Sequence, residues 1–182
     1  MIVPLWETIA KDAAAESDLW EAALRPGEER ELVPVFSPLG EERFALAVES
    51  IYEGYLLHYG APRLFEPADP GTAVLLGDYL YAHGLVRLAE HGDVAAVGDL
   101  AELISLCTQL RAEAAGAGAD TPDGVVWAAT AALLGAGNGR LERARAALRI
   151  GRDGGPLREL AVEAGGQDAL RQALAAHSAR VK

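Results

Sequence analysis

Cysteine, methionine and asparagine occur once each in the 182 residues, and lysine only twice against fourteen arginines. The lone Cys107 excludes an internal disulfide and suits a reducing compartment. Aromatic residues make up 6% of the chain and β-branched runs are scarce, which disfavours a sheet-rich fold. No alternating strand pattern, internal repeat or βαβ rhythm is present. No uncharged apolar run is long enough to span a bilayer, and no basic-then-apolar leader opens the chain. The expectation is a cytoplasmic protein with no transmembrane segment. A net charge of −11 argues against nucleic acid or an anionic membrane as partner, since both need positive potential.

What is abundant is alanine, leucine and glycine, within a composition that is 51% hydrophobic. That mixture predicts packed helices, an all-α class, in a single domain over residues 1–182. Three stretches divide it. Residues 1–40 read as an interrupted helix ending at "RPGEE", followed by the proline-bounded linker "LVPVFSPLG". Residues 41–138 hold the clearest helical periodicity. Phe44, Val48, Ile51, Tyr55 and Tyr59 recur at three- and four-residue steps, with Glu42, Arg43, Glu49, Ser50 and Glu53 on the other side. A second helix spans Gly71 to Asp93, and a third carries Val97, Leu100, Leu103, Ile104, Cys107 and Leu110 on one stripe. The glycine-rich "AGAGADTPDG" forms a joint before the short buried helix "VVWAATAALLGAG". Residues 139–182 supply two further helices split by "GRDGG".

Asp78 stands out within the apolar run "GTAVLLGDYLYAHGLVRLAEHGD". At about 100° per residue, His83, Arg87 and Glu90 form a polar stripe, while Asp78 projects among Leu75, Tyr79, Ala82 and Leu85. A carboxylate on a packed side must be paired or hydrogen-bonded. It is either a site residue or a structural group pinning a neighbouring helix. Gly77 and Gly84, two turns apart, would let another helix approach closely.

Other candidates carry less. Glu49 and Glu53, four apart on one helix face, could hold a divalent cation, but an exposed carboxylate pair reads more simply as a solvated face. Residues 139–158 carry six arginines against Glu142 and Asp153, either a basic patch for a diphosphate or acidic partner, or a solvated face offsetting an acidic body. "GAGNGR" follows a helix rather than a strand and lacks a lysine-serine ending, so it reads as a helix stop and not a phosphate loop. "RELAVEAGGQDALRQALAAH" has helix-turn-helix length but no basic stripe, and reads as a helical hairpin. His58, His83, His91 and His177 share no ligand spacing, so no zinc site is expected. Cys107 belongs to the apolar stripe, and Trp6, Trp20 and Trp127 read as core or interface anchors.

The phrase "VLLGDYLYAHGLVRLAEHGD" resembles a helix of the trans-polyprenyl diphosphate synthases, in which Gly-Asp-Tyr-Leu recurs. "ALAVESIYEGYLLHYG" resembles the preceding helix of that family, "VAAVGDLAELISLCTQL" the following one, and "VVWAATAALLGAG" the next. The resemblance covers roughly residues 41–138 and implies a truncated isoprenoid-synthase-like helical bundle. It also implies what is missing. The family binds magnesium through aspartate-rich motifs to hold and release an allylic diphosphate. His58 aligns with the family's histidine, but Tyr59 and Gly60 stand where its two aspartates would be. No adjacent Asp-Asp pair occurs, and "TPDG" replaces the family's Lys-Thr.

The expected reading is therefore a pseudo-enzyme without cofactor or metal, inactive alone. It would support isoprenoid synthesis as a homodimer, or as a heteromer with a full-length polyprenyl diphosphate synthase. Asp78, His58 and Tyr59 are the candidate substrate-binding residues, with no catalytic residue assigned. The alternatives are a stand-alone prenyl- or lipid-binding protein, a homodimer with no prenyl role, and an independent enzyme using Glu49, Glu53 or the arginines.

Overall fold

The computed structural model describes residues 5–117, 121–137 and 139–181, and all regular structure among them is helical. In chain order the helices are α1 (Leu5–Glu16), α2 (Asp18–Ala22), α3 (Ala45–Tyr59), α4 (Pro70–Glu90), α5 (Val94–Ala117), α6 (Asp123–Leu133), α7 (Arg140–Gly151), α8 (Gly155–Gly165) and α9 (Gln167–Ser178). Single 3₁₀ turns at Gly27–Glu29, Ser37–Leu39 and Glu42–Phe44 punctuate the linker and the approach to α3. The joint read at 115–124 lies partly outside the described residues. Its two ends are helix, since α5 runs to Ala117 and α6 begins at Asp123.

Two helices form the centre. Every residue of α3 from Ala47 to Leu57 is buried, as is every residue of α6 from Asp123 to Ala131. A helix buried all round needs small residues where its neighbours cross. Gly54 supplies one, because a Cβ there would fall 2.8 Å from the Gly77 carbonyl oxygen on α4. Gly84 supplies another, with a Cβ set to meet Ile51 at 2.6 Å. The close approach expected of Gly77 and Gly84 is thus the α3–α4 contact, the most extensive helix pairing in the fold. Asp69 caps α4, its carboxylate accepting from the Thr72 backbone N–H at 3.0 Å.

The main core gathers around Phe36, Tyr52 and Trp127, with Phe36 stacked on Trp127 at a centroid distance of 5.5 Å. A second cluster, built from Trp6, Ile9, Leu57, Leu64, Phe65, Leu76 and Leu80, docks α1 onto the other flank of α3 and α4. Trp20 packs at its edge. Helices α8 and α9 form the expected hairpin, turning at Gly166 with φ +87°, and bury Leu157, Leu160, Leu170 and Ala173. The stop read in "GAGNGR" also holds where it is described, with α6 ending at Leu133 and Gly135 and Gly137 at positive φ; Asn138 lies outside the described residues.

The polar face assigned to α3 requires correction. Glu49 and Glu53 are not a solvated pair but fully buried, at 0% exposure, around an equally buried Arg63. Arg63 reaches Glu49 at 2.6 Å through Nη1 and Glu53 at 2.9 Å through Nε. The carboxylates also accept backbone N–H groups, Glu49 from Val35 and Ser37, and Glu53 from Arg63 and Leu64. The two loops that flank α3 are therefore stapled to it by charge-assisted hydrogen bonds. Periodicity missed this because Arg63 comes from a loop that helical spacing does not place.

The polar stripe of α4 is likewise only partly wet. Arg87 and His83 turn inward to Asp12 of α1, His83 Nε2 lying 3.2 Å from its carboxylate and Arg87 pairing with the same oxygen, whereas Glu90 is exposed. The buried stripe runs through Thr72, Leu76, Leu80, Gly84 and Leu88. Asp78 stands off it with a side chain 63% exposed, so it faces solvent rather than a packed side. Of the residues it projects among, Leu75 is 57% exposed and Ala82 is exposed as well, which is why hydrophobicity misassigns that side.

Candidate functional site

A cavity of about 1300 Å3, partly open to solvent, lies where the C-terminal parts of α3 and α5, the starts of α6 and α8 and the end of α9 converge. Its position follows from chain punctuation. Gly60 ends α3 and pairs with Val181, while the Ala61 N–H donates to the Arg180 carbonyl at 2.9 Å. The end of the described chain is thereby folded over the end of α3, and the α5–α6 connection brings Thr121–Val125 to the same wall.

Asp123, the first residue of α6, is the organising group. Its Oδ1 accepts from the Gly124 N–H at 2.9 Å and lies 3.3 Å from His177 Nε2. Its Oδ2 accepts from the Tyr55 hydroxyl, from Arg111 Nε at 2.8 Å, and pairs with Arg111 Nη2 at 2.6 Å. Arg111 Nε also lies 2.8 Å from the Tyr55 oxygen. Beyond His177, the Tyr52 hydroxyl is 3.0 Å from Nδ1. With Nε2 protonated, the imidazole donates to Asp123 and Nδ1 accepts from Tyr52, so both ring nitrogens are committed. Three side chains from α3, α5 and α9 are thus held by one carboxylate, and Tyr52 joins them through His177.

The electrostatics follow from burial. Desolvation alone would raise the Asp123 carboxyl, but His177, Tyr55 and Arg111 outweigh it and hold it down to about 2. Burial, reinforced by Asp123, pushes the Tyr55 hydroxyl far above its ordinary range. Burial likewise raises the Cys107 thiol well above normal, which suits a core residue and not a nucleophile. His58 is shifted down by desolvation, with Asp78 opposing, and its Nε2 lies 3.2 Å from Asp78 Oδ1.

Of the candidates named from sequence, His58 and Tyr59 line the cavity, and Asp78 touches it only through His58. Asp123, Arg111 and His177 were missed. In the sequence Asp123 stands only within "TPDG", where the family has Lys-Thr, and His177 shares no ligand spacing with the other histidines. A search for any His–Asp–Arg set across helices would have listed them without placing them together. The arginines of 139–158 mostly leave the basic-patch reading behind. Arg145 pairs with Asp99 at 3.3 Å, Arg140 with Glu163, Arg149 with Glu102 and Arg152 with Glu113.

Magnesium, which the family resemblance implies, is not suited by these donors. Both Asp123 oxygens are already taken by cationic or hydrogen-bond donors, and Tyr59 and Gly60 offer no carboxylate. Among the described residues, no group of three or more His, Cys, Asp or Glu side chains is arranged to hold a metal ion. No helix among them is long and apolar enough to cross a membrane. Compared with known proteins, the chain matches no family model, no curated protein and no solved structure.

Proposed function

We propose that the chain is a non-catalytic relative of the trans-polyprenyl diphosphate synthases that acts by pairing with a catalytic subunit. The observation that carries the pairing is the outward side of α4. Leu75 and Val86 lie on one stripe, separated by Ala82 and broken by a single charge, Asp78, and Val94 at the start of α5 is 79% exposed. Exposed large apolar side chains aligned on one helix favour burial against a partner. Two further points support the family reading. Residues 58–60 and 121–124, which correspond in the resemblance to the family's His-Asp-Asp and Lys-Thr positions, line one cavity. The carboxylate described there, Asp123, is paired with Arg111 instead of being left to bind a cation.

The occupant of the α4 stripe in this reading is a full-length polyprenyl diphosphate synthase. The test is native mass spectrometry of the protein alone and after co-expression with a long-chain synthase from the same genome. The expected result is a stable hetero-complex, with prenyl product formed only by the pair. Val86→Glu should abolish the complex while leaving the isolated fold intact. A protein that ignores the synthase, or a complex indifferent to Val86→Glu, would overturn the reading.

A further inference from the structure

We propose that Asp12, His83 and Arg87 form a proton-operated clasp between α1 and α4, in which the guanidinium and the imidazole exchange one carboxylate. The contacts at a single ring nitrogen carry it. His83 Nε2 is claimed twice: Arg87 Nε–H points at it from 3.0 Å, and Asp12 Oδ2 lies 3.2 Å away. Arg87 Nη2 pairs with that same Oδ2. One nitrogen cannot meet both claims. A bare Nε2 accepts the Arg87 hydrogen but has nothing to give Asp12, whereas a protonated Nε2 donates to Asp12 and must turn Arg87 away.

The two claims are two states of one proton. Arginine only donates, so the Arg87 Nε–H aimed at Nε2 assigns a neutral ring that carries its hydrogen on Nδ1. In that state Arg87 alone holds the carboxylate. The ring has one lone pair left for an incoming proton, and it is the one that Arg87 occupies. Protonation therefore breaks the Arg87–His83 hydrogen bond and aims a new, charged N–H at Asp12. Nε and Nη2 belong to one planar guanidinium, so turning the first away from the ring draws the second off the carboxylate. The His83 side chain is 26% exposed, which leaves the ring open to protons from solvent.

The surroundings suit an exchange that keeps α1 in place. From α1, Asp12 reaches the ring and Glu16 acts on Tyr79, while Lys11 is exposed. From α4 itself come Arg87 and Tyr79, whose ring stacks on His83 at a centroid distance of 5.3 Å. From α2, Trp20 packs on Tyr79, and Asp18 and Glu21 are exposed. The Tyr79 hydroxyl donates to the Asp12 carbonyl at 3.3 Å, a bond that the imidazole proton does not touch. The backbone of α1 thus stays beside α4 while its carboxylate changes hands. What acid releases is Arg87. The clasp does not rest on the pairing reading, because Leu75, Ala82 and Val86 take no part in it.

Nitrogen-resolved NMR of the whole chain tests it, the His83 ring signals being those that His83→Gln removes. At about pH 8, where histidine is ordinarily neutral, the expected ring is protonated at Nδ1 and bare at Nε2. On acidification Nε2 gains its proton, and the Arg87 Nε–H resonance should shift with the same midpoint. Arg87→Met takes away the donor that fixes the tautomer, so its neutral ring should turn over to Nε2–H, facing Asp12. The first two readings use the unaltered chain and hold even where Arg87→Met loosens α1. A neutral wild-type ring protonated at Nε2 would overturn the clasp. So would an Arg87 Nε–H signal indifferent to the His83 titration, or an Arg87→Met ring that keeps its hydrogen on Nδ1.

Discussion

Two arginine–carboxylate clusters pack against α3 with Tyr52 between them, and they use the same chemistry to different ends. In the first, Arg63, Glu49 and Glu53 are wholly excluded from water and surrounded by backbone donors, with the Arg63 guanidinium 4.6 Å from the Trp6 ring and 5.0 Å from the Tyr52 ring. In the second, Arg111, Asp123 and His177 form a cavity wall, and Arg111 keeps 12% of its side chain exposed. The first cluster ties loops to a helix and has no room for a ligand. The second ties three helices together and leaves a space beside them. A buried ion pair is thus no marker of function by itself; what separates the two is the volume next to the charges.

The dry cluster is where the largest effect is expected. Arg63→Met removes the only cation between two buried carboxylates, and breaking a buried pair this way costs about 4 kcal/mol. Urea unfolding followed by tryptophan fluorescence should register it as a large fall in midpoint. Adding Glu49→Gln and Glu53→Gln to the same chain should recover part of the loss, because the stranded charges are then gone. A cost below about 1 kcal/mol would mean that Arg63 is not what stabilises these carboxylates.

The cavity cluster should respond less, and with a pH signature. Asp123→Asn leaves Arg111 and His177 without their anion, and the expected loss is about 2 kcal/mol at neutral pH. The folded carboxyl is depressed to about 2 from an ordinary value near 3.9. Its stabilisation is therefore complete above the unfolded value and disappears as pH falls through the folded one. The gap between wild type and variant should stay constant above about pH 5, narrow steadily below it and close by about pH 1. A gap that widens on acidification would show that Asp123 is not held ionised by its neighbours.

A change at the helix crossing tests whether the two clusters share one rigid support. Gly54→Ala pushes a methyl to 2.8 Å from the Gly77 carbonyl and 3.0 Å from Tyr81, so overpacking outweighs a gain of about 1 kcal/mol in helix propensity. The net expected cost is about 1 kcal/mol. Gly98→Ala on α5 has no neighbour within 4 Å and should instead stabilise, by up to about 1 kcal/mol. Opposite signs in thermal melts check the pair. Equal signs would mean that the α3–α4 spacing is not set by Gly54.

The helices and the all-α class were legible because leucine and alanine recur at helical steps through α3, α4 and α5, and because Gly60 and Gly135 interrupt them. His58 and Tyr59 were reached by resemblance, and both line the cavity. Its central group was not. Asp123, Arg111 and His177 come from three helices, with Asp123 and His177 54 positions apart, and no local spacing encodes that meeting. The same limit hid Arg63, a loop residue that converts an apparently wet pair into a buried one. Asp78 failed for the opposite reason. Its neighbours Leu75 and Ala82 are apolar but exposed, and a pattern rule counts apolar residues as inward. An error of that kind is informative, since it falls on the stripe proposed to meet a partner.

The smallest effect is expected where the same chemistry is wet. Arg149 pairs with Glu102 across α7 and α5, with side chains 35% and 38% exposed. At that exposure, Coulomb attraction is screened and the ordering of two long side chains offsets most of it. Arg149→Gln should therefore change stability by no more than about 0.5 kcal/mol, and raising the salt concentration should erase even that. Set beside Arg63→Met, it again takes an arginine away from glutamate, but from one wet carboxylate instead of two dry ones. If Arg149→Gln cost as much as Arg63→Met, burial would not be the variable that separates these pairs. The distinction drawn between the dry cluster and the cavity cluster at α3 would then lose its physical basis.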